Sequence, residues 1–185
     1  MMDALEALQS RSSFPRLSEP APGEAELANI YRAALRAADH ALLRPWRFLC
    51  IRGASRERLG DLFVAAARAG DPTLSDTQAE RIRQKPLRAP LIIVTIASPG
   101  EHPKVPVFEQ DLSAAAATQN MLVAAYAQGV GAMWRTGAMA YDPVVKQGLG
   151  LAGHEKIIAF LYLGTAMDST RRLVDADPAD FFQEW

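Results

Sequence analysis

Apolar residues recur at helical spacing from Glu24 onward. Leu27, Ile30, Tyr31, Ala34, Leu35 and Ala38 fall at i, i+3, i+4, i+7, i+8 and i+11, which predicts a helix with one apolar face. Upstream, Asp3 with Glu6 three residues later has the form of a capping box and predicts a helix to residue 9. Pro15 limits that helix, and Pro20, Pro22 and Gly23 form a turn cluster. Residues 46–51 alternate loosely, are rich in aromatic and β-branched side chains, and stop at Gly53, as a strand does. Ser55 is placed to cap a helix running to residue 69, and a further helix is expected over 76–87. Residues 91–97 are an unbroken apolar run, the pattern of a strand buried on both faces. A proline-rich loop over 98–106 precedes a long helix over 107–128 and a short strand over 130–134. A last buried strand over 156–163 opens into a polar tail with Arg171, Arg172, Asp175, Asp177 and Asp180. That tail closes with Phe181, Phe182 and Trp185, aromatics that are expected to dock on something.

The long helix is the unusual element. Between Asp111 and Arg135 there is no charged side chain, a span sufficient for a bilayer on charge count alone. Ser113, Thr118, Gln119, Asn120 and Gln128 interrupt it, and alanine makes up most of the rest, so no membrane span is expected. A surface helix carries a charged face. This one carries none past Asp111, and a domain of this length has a radius of gyration of only about 16 Å. Either the helix is the central core element or a second subunit covers its outer side.

Composition narrows the classes. The 185 residues fit one domain, 1–185, and 49% hydrophobic with 22% charged residues is an ordinary globular balance. Twenty basic against twenty-one acidic residues give a net charge of −1, which argues against a nucleic-acid binder. One cysteine excludes an internal disulfide and any C-x-x-C motif. The acidic start lacks a signal-peptide run, so a cytoplasmic location is expected.

No nucleophile elbow, Walker loop, Rossmann fingerprint or zinc-protease motif is present. His40, His102 and His154 have no ligand spacing, so no metal site is expected, and Cys50 reads as a small buried hydrophobe. What remains is cationic side chains at element boundaries. Arg11-Ser12-Ser13 stands where the first helix stops; a guanidinium and two hydroxyls suit a phosphate, and a cation at a helix C-terminus suits the dipole. Arg32, Arg36 and His40 form a row that is either a solvated face or the approach to a functional loop ending in Arg44-Pro45-Trp46. Trp134-Arg135-Thr136-Gly137 lies where a buried strand emerges, a usual place for ligand contact.

Taken in order, these segments resemble the nitroreductase-like, FMN-dependent oxidoreductase family, most of all its short YdjA-like branch. Arg36-Ala37-Ala38-Asp39-His40, Arg88-Ala89-Pro90-Leu91-Ile92, His102-Pro103-Lys104-Val105-Pro106, Phe108-Glu109-Gln110 and Phe160-Leu161-Tyr162-Leu163-Gly164-Thr165 extend the similarity over essentially the whole chain. The resemblance implies an α+β fold with a central, mostly antiparallel sheet flanked by helices, and an intertwined homodimer with FMN at the subunit interface. It also implies that the C-terminal segment embraces the partner subunit. Arg11, Ser12 and Ser13 match the family's phosphate and ribityl motif, with Ser12 standing where a second Arg is usual. Arg36 and His40 match positions that reach the flavin held mainly by the other subunit, and Trp134, Arg135 and Thr136 match the segment near the flavin ring. The stretch 124–129 matches one credited with nicotinamide contact, although a helix C-terminus disfavours phosphate. The implied activity is ping-pong hydride transfer from NAD(P)H through FMN to a nitroaromatic, quinone or related small-molecule acceptor. That chemistry needs no catalytic side chain, in line with the missing constellations. An FMN-binding storage or sensing protein with little turnover is the alternative.

Overall fold

In the computed structural model the described residues are 2–167 and 176–185. The chain forms, in order, α1 (Ala4–Ser10), β1 (Leu17–Ser18), α2 (Glu24–Ala34), β2 (Trp46–Arg52), α3 (Ala54–Gly70) and α4 (Asp76–Arg83). Then follow β3 (Leu91–Ala97), α5 (Val107–Ala127), β4 (Gly131–Arg135), α6 (Pro143–Gly148) and β5 (Lys156–Ala166). The five strands form one sheet in the order β1-β5-β3-β2, with β4 also paired to β5. Every pairing among the described residues is antiparallel. The architecture is therefore α+β, an antiparallel sheet flanked by helices.

Strand β3 shows why the sheet holds. All seven of its residues are buried. Ile92, Val94 and Ile96 point into a cluster with Leu59 and Phe63 of α3, Val145 of α6, and Phe160 and Tyr162 of β5. There the Phe63 and Phe160 rings meet edge to face, with centroids 5.4 Å apart. Leu91 and Ile93 point the other way, into a cluster with Leu27 and Ile30 of α2, Ala117, Met121, Leu122 and Ala125 of α5, and Leu161 and Leu163 of β5. A strand between two apolar layers has no polar face, hence its unbroken apolar run. The small Ala117 and Ala125 let α5 lie close to the sheet, and Thr118 satisfies its buried hydroxyl on Thr95 at 3.0 Å and on the Ala114 carbonyl.

Several local expectations need correction. Helix α2 ends at Ala34, so Leu35 and Ala38 leave the apolar face and are exposed, while Ala37 turns inward. Ser55 is not a cap: Gly53, with φ 55°, precedes the first turn of α3, and Ser55 lies within it as an acceptor for Arg58. The helix expected over 76–87 stops at Arg83, since Pro86 cannot continue the ladder, and Lys85–Arg88 form a 3₁₀ turn. Cys50 is exposed, because β2 is the edge strand; its sulfur meets the Tyr31 hydroxyl at 3.3 Å. Burial and that thiol contact raise the Tyr31 hydroxyl to about 12. The Asp3 carboxylate caps α1 from one side only, accepting from the Leu5 and Glu6 amides. Elements β1 and α6 were not anticipated, although Asp142 followed by Pro143 is a sound helix start and does accept from the Val144 and Val145 amides. Arg171, Arg172 and Asp175 lie outside the described residues.

One half-buried ion pair ties the edge of the sheet to the loop that feeds β5. Arg47 donates through Nε and Nη2 to both oxygens of Glu155, at 2.7 and 2.6 Å, and through Nη2 to the Gly150 carbonyl. Glu155 also accepts from the Ala152 amide. The Arg47 bonds hold the buried Glu155 carboxyl down at about 2, against an ordinary 4.5. A folded-state value below the unfolded one means that the pair stabilises fully above the ordinary value. That stabilisation is lost as pH falls toward 2. Glu155→Gln is expected to cost roughly 1–2 kcal/mol at pH 7, since it leaves the guanidinium without its counter-charge while water still reaches it. Urea melts at about pH 7 and about pH 3 should show the difference between wild type and variant shrinking in acid.

Candidate functional site

Two of the candidate segments come together at the outer end of β4. Leaving α1, the chain runs beside that strand, and the Phe14 amide donates to the Ala132 carbonyl at 3.0 Å. Arg135 leaves the end of β4, donates from Nη2 to the Pro15 carbonyl at 3.3 Å, and lies over the Tyr162 ring, 5.5 Å from its centroid. These contacts hold Arg11, Ser12 and Ser13 alongside the strand that delivers Trp134, Arg135 and Thr136. Arg11 reaches Ser13 only through a long contact of 3.4 Å. Ser12 is buried, and its Oγ has no hydrogen-bond partner; neither does the buried Nε of Arg135. A buried donor left unmatched costs about 1–3 kcal/mol, so two of them in adjoining segments are a strong indication of a ligand.

A cavity of about 400 Å³ opens on the same strand end. Phe63, Met133, Phe160 and Tyr162 form its apolar floor, while Arg135 and Thr136 line it together with Lys85 and Arg88. Among the described residues no carboxylate lines it. Lys85 and Arg88 were not singled out as site residues in the sequence; their proximity to Arg135 depends on the 3₁₀ turn that carries them. Burial pushes the Tyr162 hydroxyl up to about 12, against the opposing pull of Arg135 and Arg88, so it stays protonated at neutral pH. Trp134 also lines the cavity, while its indole packs with the α2–α5 cluster on the other side of the sheet.

Arg36 and His40 do not join this group within the chain. Arg36 lines a separate cavity of about 530 Å³ with Asp39, Arg44 and Trp46. His40 begins a 3₁₀ turn, is 74% exposed, and stands 3.8 Å from the Glu109 carboxylate of α5. The loop holding it is strained: Ala41, Leu42 and Arg44 all have positive φ, between 51° and 59°. Such backbone costs on the order of 1–3 kcal/mol per residue and persists where surrounding contacts enforce it. Here Asp39 accepts from the Arg44 amide at 2.7 Å, and Arg44 accepts from the Trp46 amide at 2.8 Å. Among the described residues no group of three His, Cys, Asp or Glu side chains could hold a metal ion, and no helix is long and apolar enough to cross a membrane.

The fold itself places the protein in a class. A nitroreductase-like family protein of Bacillus cereus superposes with a TM-score of 0.84 at 20% identity, over 100% of this chain and 97% of the other. A nitroreductase of Bacteroides fragilis, solved with bound FMN, does so with a TM-score of 0.72 at 19% identity, over 100% of both. The architecture is thus nitroreductase-like. The sequence is similar at 43% identity to the Escherichia coli protein named "Putative NAD(P)H nitroreductase YdjA", over 97% of this chain and 98% of that one. The model of the nitroreductase family matches residues 9–165. The chain belongs to the nitroreductase family, and so to the oxidoreductases.

The strand that carries Trp134, Arg135 and Thr136 is positioned by a close approach of backbones. Gly131 of β4 pairs with Gly164 of β5. A Cβ on Gly131 would stand 2.6 Å from Leu17 Cδ2 and 2.9 Å from the Ala166 nitrogen. Gly131→Ala must therefore push β4 away from β1 and β5. The expected cost is about 1–3 kcal/mol, read as a lowered urea midpoint, with a matching loss of ligand affinity at the strand end.

Proposed function

We propose that the protein is an FMN-dependent NAD(P)H oxidoreductase that works as a homodimer, each of its two FMN sites being built from both subunits. The observation that carries this reading is the pair of buried, unpartnered donors, Ser12 Oγ and Arg135 Nε, in two segments that meet at β4, where Arg135 lines a cavity with other cations and, among the described residues, no carboxylate. A flavin mononucleotide fits that donor set. Arg11, Ser12 and Ser13 would hold the phosphate and ribityl chain through one charge-assisted and two hydroxyl contacts. Arg135 and Thr136 would face the ring, with Trp134 beside it on the same strand and its indole packed on the far side of the sheet, and Arg36 and His40 would be supplied by the other subunit. Bound there, FMN supplies hydride exchange between NAD(P)H and a nitroaromatic, quinone or related acceptor, in ping-pong order.

The side chains contribute positioning and charge. Arg135, held by the Tyr162 ring and the Pro15 carbonyl, presents a fixed positive charge where negative charge develops. Tyr162 stays neutral and serves as floor, and Met133, Phe160 and Phe63 keep water from beneath it. The homodimer is supported by what one chain leaves open. On α5, Phe108 is 68% and Leu112 51% exposed; α1, which packs against α5, exposes Leu5 and Leu8; and Phe181, Phe182 and Trp185 are exposed as well. An apolar interface exceeding about 2,000 Å² would account for all of them. The natural setting of such an enzyme is a single domain, 1–185, in the cytoplasm.

Purified protein should show a flavin band near ~450 nm, a property of the cofactor, and oxidise NAD(P)H when an acceptor is added. A flavin band without turnover would instead mark a storage or sensing protein. FMN titration into apo protein tests the phosphate assignment. Arg11→Ala should weaken binding by about tenfold or more, equivalent to about 1.4 kcal/mol, and Ser12→Ala by less, since a neutral hydroxyl contributes less than a charged donor. Wild-type affinity in Arg11→Ala would remove the phosphate from this position.

A further inference from the structure

The walls of the inner cavity continue outward. Lys85 and Arg88 line it beside Arg135, and they also line a second, larger cleft of about 710 Å³ together with Arg81. The carboxylates facing this outer cleft are already committed. Asp76 is paired with Arg68 at 2.8 Å, and Glu80 with Arg83 at 2.7 Å and the Gln84 amide at 2.6 Å. Arg81, Lys85 and Arg88 make no side-chain ion pair or hydrogen bond among the described residues. Three uncompensated cations along one continuous wall, running from the strand end that holds Arg135 to the surface, focus a positive potential on whatever enters by that route.

An electron donor whose nicotinamide reaches the inner cavity has its phosphates and adenosine outside it. The C-terminal end of α5 is a poor place for them: it carries the negative end of the helix dipole and no basic residue in its last turn. The outer cleft has the complementary charge. Guanidinium groups match phosphate oxygens in a fork that lysine lacks, which singles out Arg81 and Arg88. We propose that this outer cleft binds the phosphate-bearing adenosine half of the donor, so that the enzyme takes NADPH in preference to NADH, with Arg81 and Arg88 reading the additional 2′-phosphate. The inference rests on the oxidoreductase reading and names the donor for it.

The test compares NADP⁺ and NAD⁺ binding to the FMN-loaded protein by calorimetry, and NADPH and NADH in steady state, at one fixed ionic strength. NADP⁺ should bind at least about tenfold more tightly than NAD⁺, a difference of about 1.4 kcal/mol. In the double variant Arg81→Gln/Arg88→Gln that ratio should fall toward one, and the kcat/KM ratio of the two donors should fall with it. Both residues are exposed, so the variant should fold like wild type, which circular dichroism checks. Equal binding of the two nucleotides by wild type, or a ratio unmoved in the double variant, would overturn the proposal and leave these cations as a solvated face. Selective NADP⁺ binding without NADPH oxidation would uphold the cleft while removing the reductase reading.

Discussion

Helix α5 has no face suited to water, and the arrangement of the site follows from that. Its inner side is spent on the sheet, where Ala114, Ala117, Met121 and Ala125 are almost fully buried. Its outer side carries no charge after Asp111 and ends the first turns with Phe108 and Leu112 open. Burying a Leu or Phe contributes about 1.5–3 kcal/mol, so the proposed second copy would gain stability by covering this face. α1 packs against the same helix and hands the chain directly to Arg11. The uncovered surface along α5 therefore lies close to the site, where the proposed second subunit would meet it.

At the site itself, strain and unmatched polarity are concentrated in a few residues. Two glycines let β1, β4 and β5 converge more closely than side chains permit. That convergence sets Arg135 against the Tyr162 ring and leaves its Nε, with Ser12 Oγ, buried and unbonded. The loop of His40 holds three non-glycine residues in left-handed backbone. Each of these features costs stability in the chain alone. A bound phosphate would return part of it by satisfying the donors, and contact across the subunit seam would return part by fixing the loop.

How much of this was legible in the residues depended on how local the signal is. Strand β3 was read to its exact bounds, since burial on both faces writes itself as an unbroken apolar run between Pro90 and Ser98. α5 was read to within one residue for the opposite reason, the absence of any charge. The end of α2 was missed because Leu35 and Ala38 continue an apolar pattern that the backbone abandons, and Cys50 because nothing in a strand's composition reveals that it is an edge. Positive φ at Ala41, Leu42 and Arg44 has no residue-type signature at all. Arg11, Ser12, Ser13 and Arg135 could be named from the order of segments, and what the fold adds is their convergence. Arg88 stood in one of those segments without a role and Lys85 in none; their place beside Arg135 exists only once the 3₁₀ turn brings them to the same cavity.

In the proposed dimer each site takes Arg11 from one subunit and His40 from the other. That sharing is tested most directly in a mixed dimer of one Arg11→Ala subunit and one His40→Ala subunit, each carrying a different tag and purified over both. If the site is shared, one of its two sites is wild type and the other lacks both residues. FMN titration should then show one high-affinity site per dimer, with the affinity of the unmodified protein, although each parent homodimer binds weakly at both sites. Should the mixed dimer instead bind FMN no more tightly than the two parent homodimers, both residues would have to serve the same site from within one chain, and the two-subunit site would be wrong.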